Sequence, residues 1–340
     1  MTTAHVLQVF LTVDTEVWPN VPKWPAGRRL PKADSSLYNR IETDIEGKTS
    51  NGNFGIDYQL SVLKRSGLRA TYFVEPLASG FFGKDYLCHL ISRLYAAGQD
   101  VQLHLHTEWL SDLHDTGLPS QFRQFLHEFD EDEQTALIGW GMDTLQSCGV
   151  GRVGAFRAGS YGADAATLRA LQRNGIFIDS SYNAAYADAA CKLRVDSLPL
   201  QPWQFNGVLE FPVTVFEDYP GHVRNAQLGA CSLSEMTRAL DLAWRQGWNQ
   251  FTIPLHSFEC VRNRMGTDSI VQPDRANIRR FEGLCAFLGA NRARFKTMVY
   301  SEVDVATFRH SKRVDPIRTG MLRTVMRVAE QAWGRVASLR

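Results

Sequence analysis

Residues 6–16 read VLQVFLTVDTE, a run of apolar side chains that ends in two carboxylates. The segment 6–13 is too short for a typical helix and rich in β-branched residues, so it predicts a strand that is buried on both faces. Asp14 and Glu16 follow at the carboxyl end of this strand. A buried strand of this kind is typical of a parallel sheet that is covered by helices.

Similar apolar segments recur along the chain and alternate with stretches of helical periodicity. Because parallel neighbours need a crossover helix between them, this alternation indicates an α/β fold. Seven or eight repeats predict a distorted (β/α) barrel over residues 1–311, with long loops at the carboxyl ends of its strands. The further segments predicted as strands are 69–74, 100–106, 153–157, 176–179, 207–213, 250–256 and 295–299.

Charge and composition narrow the class of protein. The 340 residues hold 37 basic and 36 acidic side chains, which gives a net charge of +1. This charge argues against a positive electrostatic field over the whole chain that would attract nucleic acid. The sequence contains no run of 18 apolar residues, so we expect no membrane-spanning helix. The first residues lack the pattern of a signal peptide, so we expect a cytoplasmic protein. The six cysteines form no CxxC pair and predict reduced, mostly buried thiols without a disulfide: Cys88, Cys148, Cys191, Cys231, Cys260 and Cys285.

Residues 312–340 differ from the rest of the chain, because they hold seven basic and two acidic side chains. Apolar residues such as Ile317, Met321 and Val325 recur there at a spacing of three to four, which predicts a basic amphipathic C-terminal helix. Such a helix could lie on the anionic inner membrane, or it could pack on the barrel or on a second subunit.

Polar side chains stand at the ends of the predicted strands. In a parallel barrel all carboxyl ends open on one face, so residues spread over 240 positions are expected to converge there. Histidines that only pack in a core would not be expected to lie at strand ends. The candidates are Asp14 and Glu16, His104 and His106, Arg157, Asp179 and His256.

The spacing of these residues predicts a metal site. His104 and His106 are two apart on a strand and point to the same side, and with Glu16 or Asp14 they give two imidazoles and one carboxylate. Such a set leaves positions open for water and substrate. The alternatives are a packed histidine pair and, for His256, a hydrogen-bonded core histidine; at the mouth of a metal-bearing barrel, a general acid is the better interpretation of His256. A buried Arg157 would need an acidic partner, for which Asp14 is the candidate.

Five short motifs in this order resemble those of the polysaccharide deacetylases with the NodB-homology fold, carbohydrate esterase family 4. The resemblance runs from about residue 6 to residue 300 and is closest to the branch found in surface-polysaccharide gene clusters. One departure concerns the second motif, where the family has a histidine four residues after the first and this chain has Glu108. The motifs are LTVDTE (11–16), GQDVQLHLHTE (98–108), FRAGSYG (156–162), DSS (179–181) and LHS (255–257).

The resemblance implies a role for each motif. Asp14 would be the catalytic base, Arg157 its brace and His256 the general acid. A divalent cation, zinc above all, would be bound by Glu16, His104 and His106, with Glu108 as the alternative ligand. We expect Trp18, Tyr161 and Asp179 at the substrate, with the loop of residues 17–53 as a wall of its site.

The implied function is removal of an N-acyl group, acetyl or formyl, from an amino sugar in the synthesis of bacterial surface polysaccharide of the O-antigen type. The sugar could be nucleotide-linked, lipid-linked or the end of a glycan, and a lipid-linked substrate would suit a tail that touches the inner membrane. Two alternatives stay open: a catalytically inactive carbohydrate-binding relative, and an amidohydrolase of small molecules on the same fold.

Overall fold

Parallel strands form the centre of the molecule. The computed structural model describes residues 5–18, 40–113, 116–187, 189–195, 198–205, 207–263, 271–308, 314–321 and 323–327. Its strands are β1 (Leu7–Thr15), β2 (Lys48–Thr49), β3 (Gly52–Asn53), β4 (Thr71–Val74), β5 (Asp100–Leu105), β6 (Ala155–Ala158), β7 (Ile178–Asp179), β8 (Trp203–Phe205), β9 (Val208–Glu210), β10 (Val215–Tyr219), β11 (His222–Asn225), β12 (Gln250–His256), β13 (Val261–Asn263), β14 (Val271–Pro273) and β15 (Phe295–Met298).

Most of these strands belong to one curled sheet. Its order is β12-β1-β4-β5-β6-β7-β9-β8, and β15 pairs with the first half of β1. All of these pairings are parallel except that of β8 with β9. The sheet forms a half-barrel, which agrees with the prediction of a distorted barrel.

Hydrogen bonds bridge the open side of the half-barrel. The segment that follows β9 reaches β12, where Thr214 N donates to Thr252 O over 3.3 Å and Thr252 N donates to Thr214 Oγ1 over 2.8 Å. These bonds hold β12 beside the chain that leaves β9. The open side of the half-barrel is thus bridged by irregular backbone, and not by regular pairing between two strands.

The interior of the barrel is filled by one buried side chain from each of several strands. Phe10 of β1 packs against Phe211, with ring centroids 5.2 Å apart, and against Tyr300, 4.8 Å apart. Because this layer is apolar and solid, it separates the carboxyl ends of the strands from the other end of the barrel. Its remaining buried members are Phe73, Ala155, Ile178 and Leu209.

Helices connect the strands and cover the outer face of the sheet. Asp130 and Ser232 begin two of them with capping boxes, because each side chain accepts from the backbone N–H three residues on and a glutamate there reaches back. The helices are α1 (Ile56–Ser66), α2 (Ser79–Phe82), α3 (Lys84–Ala96), α4 (Glu131–Ser147), α5 (Ala165–Arg173), α6 (Leu233–Arg245) and α7 (Arg275–Ala290). Among the described residues, none of the helices has both the length and the apolar character needed to span a membrane.

Two cysteines form a disulfide, so the prediction of six reduced thiols was wrong. Cys88 on α3 and Cys148 at the end of α4 are bonded, with their Cα atoms 4.6 Å apart. They are 60 residues apart in sequence, and both helices contact the same strand, β5. The prediction does hold for the other four cysteines, which are buried and form no disulfide.

The described part of the C-terminal segment packs on the barrel. Ile317 is buried, and its carbonyl accepts from Glu217 N of β10 over 2.8 Å. Arg327 is also buried and forms ion pairs of 3.1 Å with Asp218 and with Glu235 of α6. Within the predicted helix of residues 312–340, residues 314–320 are not helical, because Ile317 and Thr319 bond to β10 instead, and residues 323–327 are helical. Residues from 328 onward lie outside the described residues.

Candidate functional site

Strand register brings the predicted catalytic residues to one end of the barrel. Asp14 is the direct partner of His256 in the parallel pairing of β1 with β12. His104 is in the same way the partner of Arg157 between β5 and β6. Because these pairs lie at the carboxyl ends of their strands, four residues that are distant in sequence surround one point.

Glu16, His104 and His106 form a compact group of donor atoms. Glu16 Oε2 lies 3.1 Å from His104 Nε2 and 2.5 Å from His106 Nε2. One ligand atom from each of the three residues lies within 4.8 Å of the other two, and all three residues are buried. Among the residues the structure describes, it is the one such cluster of three or more histidine, cysteine or acidic side chains.

The hydrogen bonds around the imidazoles orient their ring nitrogens in a way that is compatible with binding of a cation. His104 Nδ1 lies 2.8 Å from the carbonyl oxygen of Arg157, so Nδ1 donates and Nε2 of the neutral ring carries a lone pair. That lone pair faces the Glu16 carboxylate, and two acceptors at this distance need a positive charge between them. Two histidines and one carboxylate suit zinc and related divalent metals.

Charge within the group is strongly coupled. Burial disfavours the Glu16 carboxylate, yet His106 and His104 hold its pKa well below the usual value. Burial likewise opposes a charged His106, but the carboxylates of Glu16 and Glu108 raise its pKa well above the usual range. The carboxylates and imidazoles therefore stabilise each other's charged forms within this buried group.

Glu108 lies behind His106 and is not a member of the donor group. Its Oε2 is 3.1 Å from His106 Nδ1, the ring nitrogen that points away from Glu16. A carboxylate in this place orients a metal-binding imidazole. Gly159 makes room for the same ring, because a Cβ there would lie 2.9 Å from the His106 ring and 2.6 Å from Leu105 O.

Asp14 is held by the buried guanidinium of Arg157. Arg157 Nη1 donates to Asp14 Oδ1 over 2.7 Å and to Thr12 Oγ1 over 2.8 Å, while its other nitrogens bond to Ser180. The guanidinium also lies over the Phe73 ring, 4.5 Å from its centroid. The ion pair expected from the sequence is present, and it fixes one carboxylate oxygen while Asp14 lines the cavity with the donor group.

His256 lines the same cavity as Asp14, its partner on the neighbouring strand, and has a carboxylate of its own. Its Nδ1 is 3.0 Å from Glu259 Oε2, and its backbone N–H donates to the same oxygen over 3.1 Å. Burial lowers the pKa of His256, but Glu259, with smaller effects from Glu16 and Asp14, raises it to about 9. An imidazole that stays protonated at neutral pH can deliver a proton to a leaving group.

A cavity of about 790 Å³ opens above these residues and has aromatic walls. Trp18 is 44% exposed, and its ring meets those of His106 at 5.9 Å and Phe258 at 6.3 Å, edge to face. Tyr161 stacks on Tyr186 on another part of the wall, 5.5 Å away. Trp18 and Tyr161 thus both lie where a substrate would bind.

Asp179, also expected at the substrate, lies beneath the wall and not in the cavity lining. It is fully buried, and Ser181 Oγ donates to its Oδ1 over 2.6 Å. It pairs in register with Glu210 of the neighbouring strand, and each of the two carboxylates keeps one oxygen without a donor among the described residues. Because burial and Asp179 raise the pKa of Glu210 well above its usual value, we expect the two carboxylates to share one proton, and Asp179 is not exposed to the cavity.

Several residues of the cavity were not singled out from the sequence. Glu259 and Phe258 follow His256 within a tight turn, and the spacing of histidine and glutamate at i and i+3 was a signal for the first of them. Asp44 accepts from Trp18 N over 3.1 Å and also lines the cavity. No short motif marks this contact, because 25 residues separate the two. Residues 19–39 of the predicted wall, 17–53, lie outside the described residues.

By sequence the chain matches no family model and no curated protein. Its structure is similar to that of a candidate polysaccharide deacetylase from Mycobacterium smegmatis, with a TM-score of 0.58 and 14% identity over 93% of this chain and 96% of that one. It is also similar to 4-alpha-glucanotransferase from Thermococcus litoralis, with a TM-score of 0.53 and 10% identity over 91% of this chain and 41% of that one. A family 4 carbohydrate esterase from Streptomyces lividans, in complex with acetate, gives a TM-score of 0.45 and 12% identity over 91% and 98%.

These comparisons establish the fold. The two proteins with the higher TM-scores are similar to this chain in fold but are named for different activities. Similarity of fold by itself therefore does not identify the reaction. The reaction has to be inferred from the side chains at the carboxyl end of the barrel.

Proposed function

We propose that this protein is a metal-dependent hydrolase that removes an N-acyl group, acetyl or formyl, from an amino sugar. One observation carries the proposal: a carboxylate held by an arginine and an imidazole held by a glutamate face one cavity, beside a group of two histidines and one carboxylate. The base, the acid and the donors are the parts that hydrolysis of an amide needs.

Glu16, His104 and His106 would hold the cation. Their donor atoms converge, and the second nitrogens of both rings are already engaged, by the Arg157 carbonyl and by Glu108. A divalent metal here, of which zinc fits the donors best, supplies Lewis acidity for an acyl oxygen and for water.

Asp14 and His256 would move the protons. Asp14 takes a proton from the attacking water as the new C–O bond forms at the acyl carbon. His256 then gives a proton to the sugar nitrogen as the C–N bond breaks, so the products are a free amino sugar and a short carboxylate. Ser160 and Tyr161 have left-handed backbone, with φ of 51° and 60°, and bring main-chain N–H groups to the wall as candidate donors to the oxyanion.

The aromatic walls support a sugar as the substrate. Trp18, Phe258 and the stacked pair of Tyr161 and Tyr186 offer apolar faces of the kind on which pyranose rings pack. The similarity to a candidate polysaccharide deacetylase and the five motifs point to the same substrate class. We include surface polysaccharide of the O-antigen type, with a nucleotide-linked, lipid-linked or terminal sugar, as the narrower form of this proposal.

The proposal also includes the cellular location of the reaction. Exposed apolar side chains of the C-terminal segment, Met321, Val325 and Met326, favour contact with the inner membrane, as a lipid-linked substrate would need. The cytoplasm was the compartment indicated by the sequence, whereas a disulfide such as Cys88–Cys148 is typical of oxidising compartments.

The test is hydrolysis of defined substrates by the zinc-loaded protein. We expect equal amounts of free amine and of acetate or formate from N-acyl amino sugars, with no release by His104→Ala. His222→Ala is the matched control, because His222 lies on a hairpin outside the cavity lining and pairs with Asp218. Binding of sugars without any release would instead identify an inactive carbohydrate-binding protein.

A further inference from the structure

Glu259 lies where it can control His256 directly. The residues are joined by a closed turn in which Glu259 N donates to His256 O over 3.1 Å. Glu259 Oε2 accepts from His256 N over 3.1 Å and lies 3.0 Å from His256 Nδ1. One carboxylate oxygen therefore contacts both the backbone and the ring of the same residue.

The surroundings leave this carboxylate little freedom. Its side chain is 7% exposed, whereas that of His256 is 19% exposed toward the cavity. Gly229 makes room for it, because a Cβ at that position would clash with Glu259 Oε1. Gln59 fixes the turn from below, as its Nε2 donates to the carbonyls of His256 and Ser257 over 2.9 and 3.0 Å.

The contact decides which ring nitrogen carries the proton. A carboxylate oxygen only accepts, so Nδ1 of His256 has to be the donor and Nε2 is left for the cavity. The Phe258 ring lies parallel to the imidazole at 4.9 Å, which resists rotation of the ring. When the imidazole is charged, its Nε2–H is the proton that a bound substrate would meet.

Other charges face His256 but are already engaged. Asp14 and Glu16 of β1 both favour a charged imidazole. Asp14 is paired with Arg157, and Glu16 belongs to the metal donor group. Gln227 approaches Nδ1 at 3.4 Å and is neutral. Of these three carboxylates, Glu259 is the one that pairs with His256 itself.

We propose that Glu259 is the positioning residue for His256: it holds the tautomer that presents Nε2 to the cavity and keeps the ring protonated until the leaving amine takes the proton. This inference rests on the proposed function for the destination of the proton. The pairing itself is a property of the protein that can be measured without substrate.

The first experiment measures that pairing by NMR on zinc-loaded protein with ¹⁵N-labelled histidine. We expect His256 to titrate above the usual value for histidine, because the Glu259 carboxylate faces its Nδ1, and to carry its proton on Nδ1 when the ring is neutral. Glu259→Gln, which retains an oxygen acceptor but no charge, should move the midpoint toward 6.5 by one pH unit or more. Titration near 6.5 in the wild type, or a neutral ring protonated on Nε2, would overturn the proposal even if no variant folds.

The second experiment measures turnover against pH. In Glu259→Gln the basic limb of kcat should shift to lower pH by the same amount, with KM little changed, whereas Glu259→Ala should lose kcat at every pH. Glu302→Gln is the matched control, since this glutamate pairs with Arg69 on the surface. An unchanged basic limb in Glu259→Gln would refute the role of Glu259. If the NMR shift is found but no sugar amide is cleaved, the pairing stands and the proposed function fails.

Discussion

Replacing Asp14 with asparagine separates catalysis from metal binding. Asp14 lines the cavity, but it is not among the donor atoms of Glu16, His104 and His106. We expect zinc content to stay at the wild-type level, while kcat/KM for amide hydrolysis falls by about 10²- to 10⁴-fold, the range for loss of a general base.

The same substitution should weaken the fold by a predictable amount. Arg157 is fully buried and would lose its only charged partner in the described structure, although its bonds to Thr12 and Ser180 remain. Removing one partner of a buried ion pair costs about 3–5 kcal/mol, which we expect for Asp14→Ala. Asparagine keeps an oxygen at the Oδ1 position, so a neutral hydrogen bond survives and the loss should be about 2 kcal/mol.

Three measurements on each variant provide the assay: metal content by mass spectrometry, release of acetate or formate, and urea unfolding. Thr49→Ala, on the exposed hairpin of β2 and β3, serves as the control for handling and stability. Turnover of Asp14→Asn within a few-fold of the wild type would refute Asp14 as the base. Loss of zinc in Asp14→Asn would instead make Asp14 a ligand and refute the donor set.

Three further predictions concern features around the site. Unreduced protein should show four free thiols after denaturation instead of six, and six would contradict the disulfide. Replacing Cys88 and Cys148 together by serine should lower the free energy of unfolding by about 4 kcal/mol, the entropic contribution expected for a closed loop of 60 residues. Burial and Asp179 raise the pKa of Glu210 well above its usual value, so the pair stabilises the fold at low pH and this contribution is lost as pH rises above about 4.5. Glu210→Gln should therefore flatten the dependence of unfolding free energy on pH from 5 to 9, and an unchanged slope would count against the shared proton. Trp18→Ala should raise KM for a sugar substrate about five- to tenfold with little change in kcat, because stacking is lost and the reacting groups remain; an unchanged KM would remove Trp18 from the substrate site.

The barrel could be predicted from the sequence because its signals are local. Buried strands such as β1 and β12 are short apolar runs, and helices such as α4 begin at capping residues, so periodicity and caps define them within a few residues. Parallel topology then places every carboxyl end on one face. The approach of Asp14 to His256 follows from that rule and from the register of β1 with β12.

Features that depend on the packing of loops and helices could not be predicted in this way. Cys88 and Cys148 meet because α3 and α4 both lie against β5, and no spacing in the sequence encodes that contact. Asp179 stands at a strand end like the other candidates, but Glu210 on the next strand turns it into a buried pair. The place of Glu108 was likewise decided by the ring orientation of His106, which only the three-dimensional contacts define.

Metal binding by single-site variants tests the central claim most directly. Purified protein is equilibrated with zinc, freed of excess and analysed for metal per chain, for the wild type and for Glu16→Gln, His106→Ala and Glu108→Gln. We expect one zinc in the wild type, none in Glu16→Gln or His106→Ala, and one in Glu108→Gln with affinity weakened about 10- to 100-fold. Full zinc content in Glu16→Gln, or complete loss in Glu108→Gln alone, would contradict the site described for this barrel.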